Sequence, residues 1–304
     1  MIGDSVARTP PTMVRANGIE LCYDTFGDPA NPPLILIMGL AAQMVVWDEN
    51  FLRMLAAKGV WVIRFDNRDI GLSTKFPQAR TPSVAEMIVT QLTRITIRVP
   101  YTLRDMAADT VGLMDALGLP AANVAGISMG GAIAQEIAIE FPHRVRTLTS
   151  IMSSTGDPKL PRATPKATAV LLRKTPAERE AYLEQYVDSW HVLAGDAFPF
   201  DPARMRRQGE RSYDRGINPP GVARQLMAMI ASGNRTTALR KLTVPTLVVH
   251  GSIDPLIPPA HGRATAGAIP GAVLSLYEGM GHTLPREVWD RLTDELARHA
   301  AVNS

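Results

Sequence analysis

A single cysteine, Cys22, occurs in 304 residues, so no disulfide can form within the chain and a scaffold stapled by sulfur bridges is excluded. No apolar run reaches membrane length. The longest, residues 32–40 and 244–249, are strand-sized, which excludes an integral membrane helix. Residues 1–14 are polar and proline-bearing with no signal-peptide core, so a cytoplasmic location is expected. Neither sign of charge dominates: 32 basic residues face 29 acidic ones, and only 6% of residues are aromatic. The densest basic group, Arg204, Arg206, Arg207 and Arg211, is interrupted by Glu210 and Asp214. That pattern reads as a solvated helix face, and no nucleic-acid partner is expected. Internal repeats and low-complexity tracts are also missing.

What is present suits a globular enzyme. The chain is 46% hydrophobic and 20% charged, and its length fits one large α/β domain with an insertion. A domain this size buries roughly three quarters of its unfolded surface, so neither a metal nor a cofactor is needed to hold it together, and none is expected.

Alternation on both sides of Asn17-Gly18 predicts a hairpin over 14–23. The continuous apolar runs 34–38 and 60–65 predict buried parallel strands, with a helix over 47–58 between them. The pattern then repeats: helix 102–117, strand 123–127, helix 131–141 and strand 145–152. Strands 245–250 and 273–277 and a helix over 286–300 follow later. These elements predict a mostly parallel, doubly wound eight-stranded sheet flanked by helices. Residues 153–241 break the alternation. Only helical segments occur there, about 165–173, 176–193, 202–214 and 220–239, which predicts a helical cap inserted after the sixth strand. The core is then 1–152 with 242–304. A smaller excursion, 75–100, carries the apolar set Val84, Met87, Ile88, Leu92 and Ile95.

Gly126-Ile127-Ser128-Met129-Gly130 fits G-x-S-x-G between an apolar strand and a helix start. A turn this sharp needs room, which the glycines provide, and it leaves the serine hydroxyl exposed at the positive end of a helix. A serine hydroxyl is a poor nucleophile without a base. Of six histidines, His282 lies in a loop between the last strand and the last helix, where it can reach Ser128 over the carboxyl edge of the sheet. His143 reads as a surface turn and His250 as a local hydrogen-bonding group. His191, His261 and His299 fall in the cap, after Pro258-Pro259 and in the last helix. Asp254, in the loop after strand 245–250, is the acid that would orient His282. The backbone N–H groups of Leu40 and Met129 are the expected oxyanion donors. Met38 precedes Gly39 in this turn, so a polar side-chain support for this loop is expected to be missing.

With these residues assembled, the chain resembles the α/β-hydrolase fold family, and within it the aclacinomycin methylesterase-like carboxylesterase group. The segments that carry this are Leu36-Ile-Met-Gly39, Phe65-Asp-Asn-Arg-Asp-Ile-Gly-Leu-Ser73, Gly126-Ile-Ser-Met-Gly130 and Gly279-Met-Gly-His282. Asp69 replaces the first glycine of the Arg-Gly-x-Gly found in many members, as in that group. The resemblance implies a serine esterase whose cap forms the pocket for a small-molecule ester. An anthracycline substrate does not carry over, because the cap and 75–100 diverge. The same triad also serves carbon–carbon bond hydrolases and perhydrolases, and receptor-like members retain it without turnover. A haloalkane dehalogenase is disfavoured, since it needs a carboxylate in place of Ser128. The sequence is compatible with a homo-oligomer.

Overall fold

The computed structural model describes residues 6–83, 86 and 99–302. Strands β1 (Thr12–Ala16) and β2 (Ile19–Phe26) form the antiparallel hairpin. Asn17 and Gly18 join them at φ 48° and 78°, the two positive values that a type I′ turn requires. Six more strands follow: β3 (Pro33–Ile37), β4 (Trp61–Phe65), β5 (Ala122–Ile127), β6 (Val145–Ile151), β7 (Thr246–Gly251) and β8 (Val273–Tyr277). All eight form one sheet in the order β1-β2-β4-β3-β5-β6-β7-β8. The hairpin meets β4 antiparallel, and every neighbour from β4 to β8 is parallel. β3 and β4 are buried at every residue, which is why they read as unbroken apolar runs.

Helices cover both faces. The described helices are α1 (Glu49–Ala56), α2 (Leu103–Ala116), α3 (Met129–Glu140), α4 (Pro165–Leu172), α5 (Arg179–Ala194), α6 (Pro202–Asp214), α7 (Pro219–Ser232), α8 (Thr236–Leu239), α9 (Ala260–Ala268) and α10 (Trp289–Ala300). Phe51 and Leu55 of α1 share a core with Leu292 and Leu296 of α10. A second core holds Met106 and Leu113 of α2 with Ile133 and Ile137 of α3. Helices α4 to α8 all lie between β6 and β7, and among the described residues no strand interrupts them.

Several boundaries differ from expectation for local reasons. The Asp48 side chain accepts the Asn50 N–H at 3.0 Å and caps α1, so Trp47 lies outside that helix and stacks on Phe51. The expected helix 220–239 is two, because Gly233 at φ 64° turns the chain after α7. The apolar set Val84, Met87, Ile88, Leu92 and Ile95 lies outside the described residues.

A buried ion pair ties the helices between β6 and β7 to the loop after β4. Arg224 of α7 grips Asp69 with Nη2 at 2.7 Å and Nε at 2.8 Å, and Tyr101 donates its hydroxyl to the same carboxylate at 2.7 Å. Burial would push the Asp69 carboxyl up, but these donors and the Phe76 N–H outweigh it and hold it below its ordinary value. Removing one member of such a pair strands a charge in the interior. Arg224→Met is therefore expected to cost about 3–5 kcal/mol of stability, read as a lower urea midpoint with an unchanged m-value. A midpoint equal to wild type would show that the pair does not hold the insertion in place.

Candidate active site

Ser128 stands between the last residue of β5 and the first of α3, with φ 56° and ψ −119°. A residue with a Cβ persists there only when its surroundings over-determine it. They do. Its N–H donates to the Ile151 carbonyl at 2.8 Å, and its carbonyl accepts the Gly131 and Ala132 N–H groups at 3.0 and 3.2 Å. A Cβ on Gly126 would lie 2.0 Å from the Gly130 oxygen, and one on Gly130 would lie 2.1 Å from the Ile37 oxygen. The helix begins at Met129, two residues earlier than expected, so Ser128 immediately precedes its positive end.

The sheet order explains where Ser128 points. The chain leaves β3 toward β4 on one side and leaves β5 toward β6 on the other, so the ends of β3 and β5 open a crevice at the point where the strand order reverses. The turn after β3 enters that crevice. A Cβ on Gly39 would lie 3.2 Å from the Ser128 Cβ, and the Ala42 N–H closes the turn on the Gly39 carbonyl at 3.3 Å.

His282 comes to the same crevice from the loop after β8. Its Nδ1 lies 2.7 Å from Asp254 Oδ2. The other carboxylate oxygen, Oδ1, accepts the Leu256 and Ile257 N–H groups at 2.9 and 2.8 Å. Both residues are buried, at 5% and 3% exposure. The loop itself is pinned by the His282 N–H, which donates to the Leu193 carbonyl near the end of α5 at 2.7 Å.

The other histidines are engaged elsewhere. His250 Nε2 donates to the Ile257 carbonyl at 2.8 Å, and burial pushes its imidazole below the ordinary value. His299 bonds the Leu148 carbonyl, His191 stacks on Phe200, and His143 is exposed in a short helical turn. His261 lies near the site, with Nδ1 2.8 Å from Ser154 Oγ and Nε2 2.8 Å from the Pro161 carbonyl.

Ser128, His282 and Leu40 all line one cavity of about 580 Å³. Asp254 sits behind His282, and Met129, fully buried, lies directly behind Ser128. Tyr182, Tyr186, Trp190, Met205 and Met229, from α5 to α7, line one side of it. This volume and apolar lining suit a small organic molecule. Among the described residues, no group of three or more His, Cys, Asp or Glu is placed to hold a metal ion, and no helix is long and apolar enough to cross a membrane.

A profile of the alpha/beta hydrolase fold matches residues 32–285. The chain belongs to the α/β-hydrolase family. Two rhodomycin D methylesterases, DauP of Streptomyces sp. (strain C5) and DnrP of Streptomyces peucetius, are each 30% identical to it over 95% of this chain and 98% of theirs. The expected resemblance to the methylesterase group is thereby borne out. A putative non-heme bromoperoxidase, BpoC of Mycobacterium tuberculosis, is 29% identical over 87% of this chain and 91% of its own. Among solved structures, a meta-cleavage product hydrolase from Pseudomonas fluorescens IP01 superposes with TM-score 0.76 at 19% identity, covering 95% of this chain and 96% of that one. At that identity the likeness concerns the fold.

One feature of this α/β hydrolase differs from what its sequence suggests. The turn after β3 does have polar side-chain support, from distant segments: Asn67 Nδ2 donates to the Met38 carbonyl at 2.9 Å, and Gln225 Oε1 accepts the Ala41 N–H at 3.3 Å. Neither residue forms a local motif with the turn, so sequence spacing carried no sign of them. The basic cluster on α6 keeps the solvated face expected of it, with Arg207 and Arg211 exposed and the other two arginines in contacts within the chain. Arg206 holds Glu180 through two bonds of 2.6 Å, and Arg204 lies 5.2 Å over the Trp289 ring.

Proposed function

We propose that the protein is a serine carboxylic ester hydrolase working through an acyl-enzyme, with Ser128 as nucleophile, His282 as base and Asp254 as the orienting acid. The observation that carries this reading is the 2.7 Å contact between His282 and Asp254, on a cavity that Ser128 enters from a strained strand-to-helix turn. Ser128 Oγ attacks the ester carbonyl while His282 Nε2 takes its proton. The oxygen of the tetrahedral intermediate, now negative, is held by the N–H groups of Leu40 and Met129. Collapse expels the alcohol, which leaves with the proton from His282. Water then attacks the acyl-enzyme with the same base and releases the acid.

Residues 153–241 are the cap, and their aromatic and methionine side chains set the pocket for small to medium apolar esters. The methylesterases similar to this chain support an ester as the bond cleaved. A panel of p-nitrophenyl and methyl esters, with a dienone acid included for carbon–carbon cleavage, tests the reading. Esters are expected to turn over, with kcat/KM rising with acyl length and falling once the chain outgrows a cavity of about 580 Å³. Preferred cleavage of the dienone acid would overturn it.

A further inference from the structure

We infer that Gln225, on the inserted helix α7, is a positioning residue for the oxyanion-binding turn: it holds Ala41 in a left-handed conformation and so fixes the turn that presents the Leu40 N–H to Ser128. This rests on the reading of Ser128 as nucleophile. Ala41 has φ 63° and occupies the third position of the turn from Gly39 to Ala42, a place that usually takes glycine. With a Cβ there, the turn must be imposed from outside. Gln225 supplies the constraint. It is fully buried, its Oε1 accepts the Ala41 N–H at 3.3 Å, and its Nε2 donates to the Arg68 carbonyl at 2.8 Å. If the Ala41 peptide turned over, the amide oxygen would be left buried without a donor, a state that folded proteins avoid.

The helix carrying Gln225 is itself fixed. Arg224, the preceding residue, is bound to Asp69 by two bonds, and Asn218 Nδ2 donates to the Asp69 carbonyl at 2.8 Å. A Cβ on Gly221 would lie 2.6 Å from that same carbonyl oxygen, so α7 lies directly against the strand-end loop. Gln225 is therefore a rigid post. A Cβ on Gly39, at the other end of the turn, would lie 3.2 Å from the Ser128 Cβ, so displacement of the turn reaches the nucleophile. The insertion then does more than roof the pocket. It sets the geometry that meets the transition state, and α7 cannot swing away without releasing the turn.

The test compares wild type, Gln225→Met and Gln225→Met with Ala41→Gly. Methionine keeps the volume and removes both hydrogen bonds. Rates on p-nitrophenyl butyrate are expressed per Ser128 titrated with a fluorophosphonate, so misfolded protein does not count. Affinity for a trifluoromethyl ketone, which forms a tetrahedral adduct, is measured alongside. In Gln225→Met, kcat is expected to fall roughly 10–100-fold with KM little changed, and ketone affinity should fall in parallel. Glycine at 41 takes the left-handed conformation freely and should recover about five-fold. If Gln225→Met does not fold, Ala41→Val, which strains the same turn from its exposed side, should give the same loss. A rate per site and a ketone affinity within about two-fold of wild type would overturn the proposal, as would a loss that glycine does not relieve. Those outcomes leave the nucleophile reading intact. Wild-type turnover by Ser128→Ala would instead overturn that reading, and this proposal with it.

Discussion

An Asp254→Asn enzyme is expected to lose about 10⁴-fold in kcat while folding normally. The hydrogen bonds decide the outcome. Oδ1 accepts two backbone N–H groups, from Leu256 and Ile257, whereas Oδ2 alone faces His282 Nδ1. An asparagine must keep its carbonyl oxygen toward the two N–H donors, since its NH₂ cannot accept them. The NH₂ then points at His282 Nδ1, which becomes the acceptor and carries no proton. The remaining proton sits on Nε2, where it cannot take one from Ser128. The imidazole stays in place in the wrong tautomer. Single-turnover kinetics should show acylation slowed with KM nearly unchanged, and a loss below about ten-fold would remove Asp254 from its role.

His282→Ala should cost roughly 10⁴–10⁶-fold in kcat/KM, because the Ser128 hydroxyl then has no base and only the oxyanion donors and substrate binding remain. The loop should survive the change, since it is held by the bond from the His282 backbone N–H to Leu193 and not by the imidazole. Steady-state kinetics on a p-nitrophenyl ester would check it. A fall in kcat with no change in KM is expected, and residual activity above about a hundredth of wild type would point to another base. His250 is a poor substitute. Its Nε2 is committed to Ile257, and a Cβ on Gly262 would lie 2.6 Å from its Nδ1, so helix α9 lies against the ring.

Much of the architecture was legible because local pattern and global fold agree. Asn17-Gly18 dictated the hairpin, and fully buried β3 and β4 could only read as apolar runs. Ser128, Asp254 and His282 each stand in a strand-end loop, as their sequence context suggested; the structure puts His282 in contact with Asp254, and His282 and Ser128 on one cavity. Helix starts were less legible. Capping by Asp48 and the strained turn at Ser128 depend on backbone angles that hydrophobic spacing does not record. Least legible were the polar ties across the fold. Asp69 stands out in the sequence by replacing a glycine, but its partner Arg224 is 155 positions away. Gln225 reaches Ala41 across 184. Pairings of this kind follow from how the inserted helices seat on the sheet, and no periodicity announces them.

The function assigned to this cavity rests on Ser128 as the nucleophile. The direct measurement is intact-mass and peptide analysis after incubation with a fluorophosphonate, with ester turnover followed in the same sample. One adduct is expected per chain, on the peptide containing Ser128, with activity lost in step with labelling and neither labelling nor turnover in Ser128→Ala. An adduct on another residue, or a Ser128→Ala enzyme that hydrolyses esters as wild type does, would contradict it.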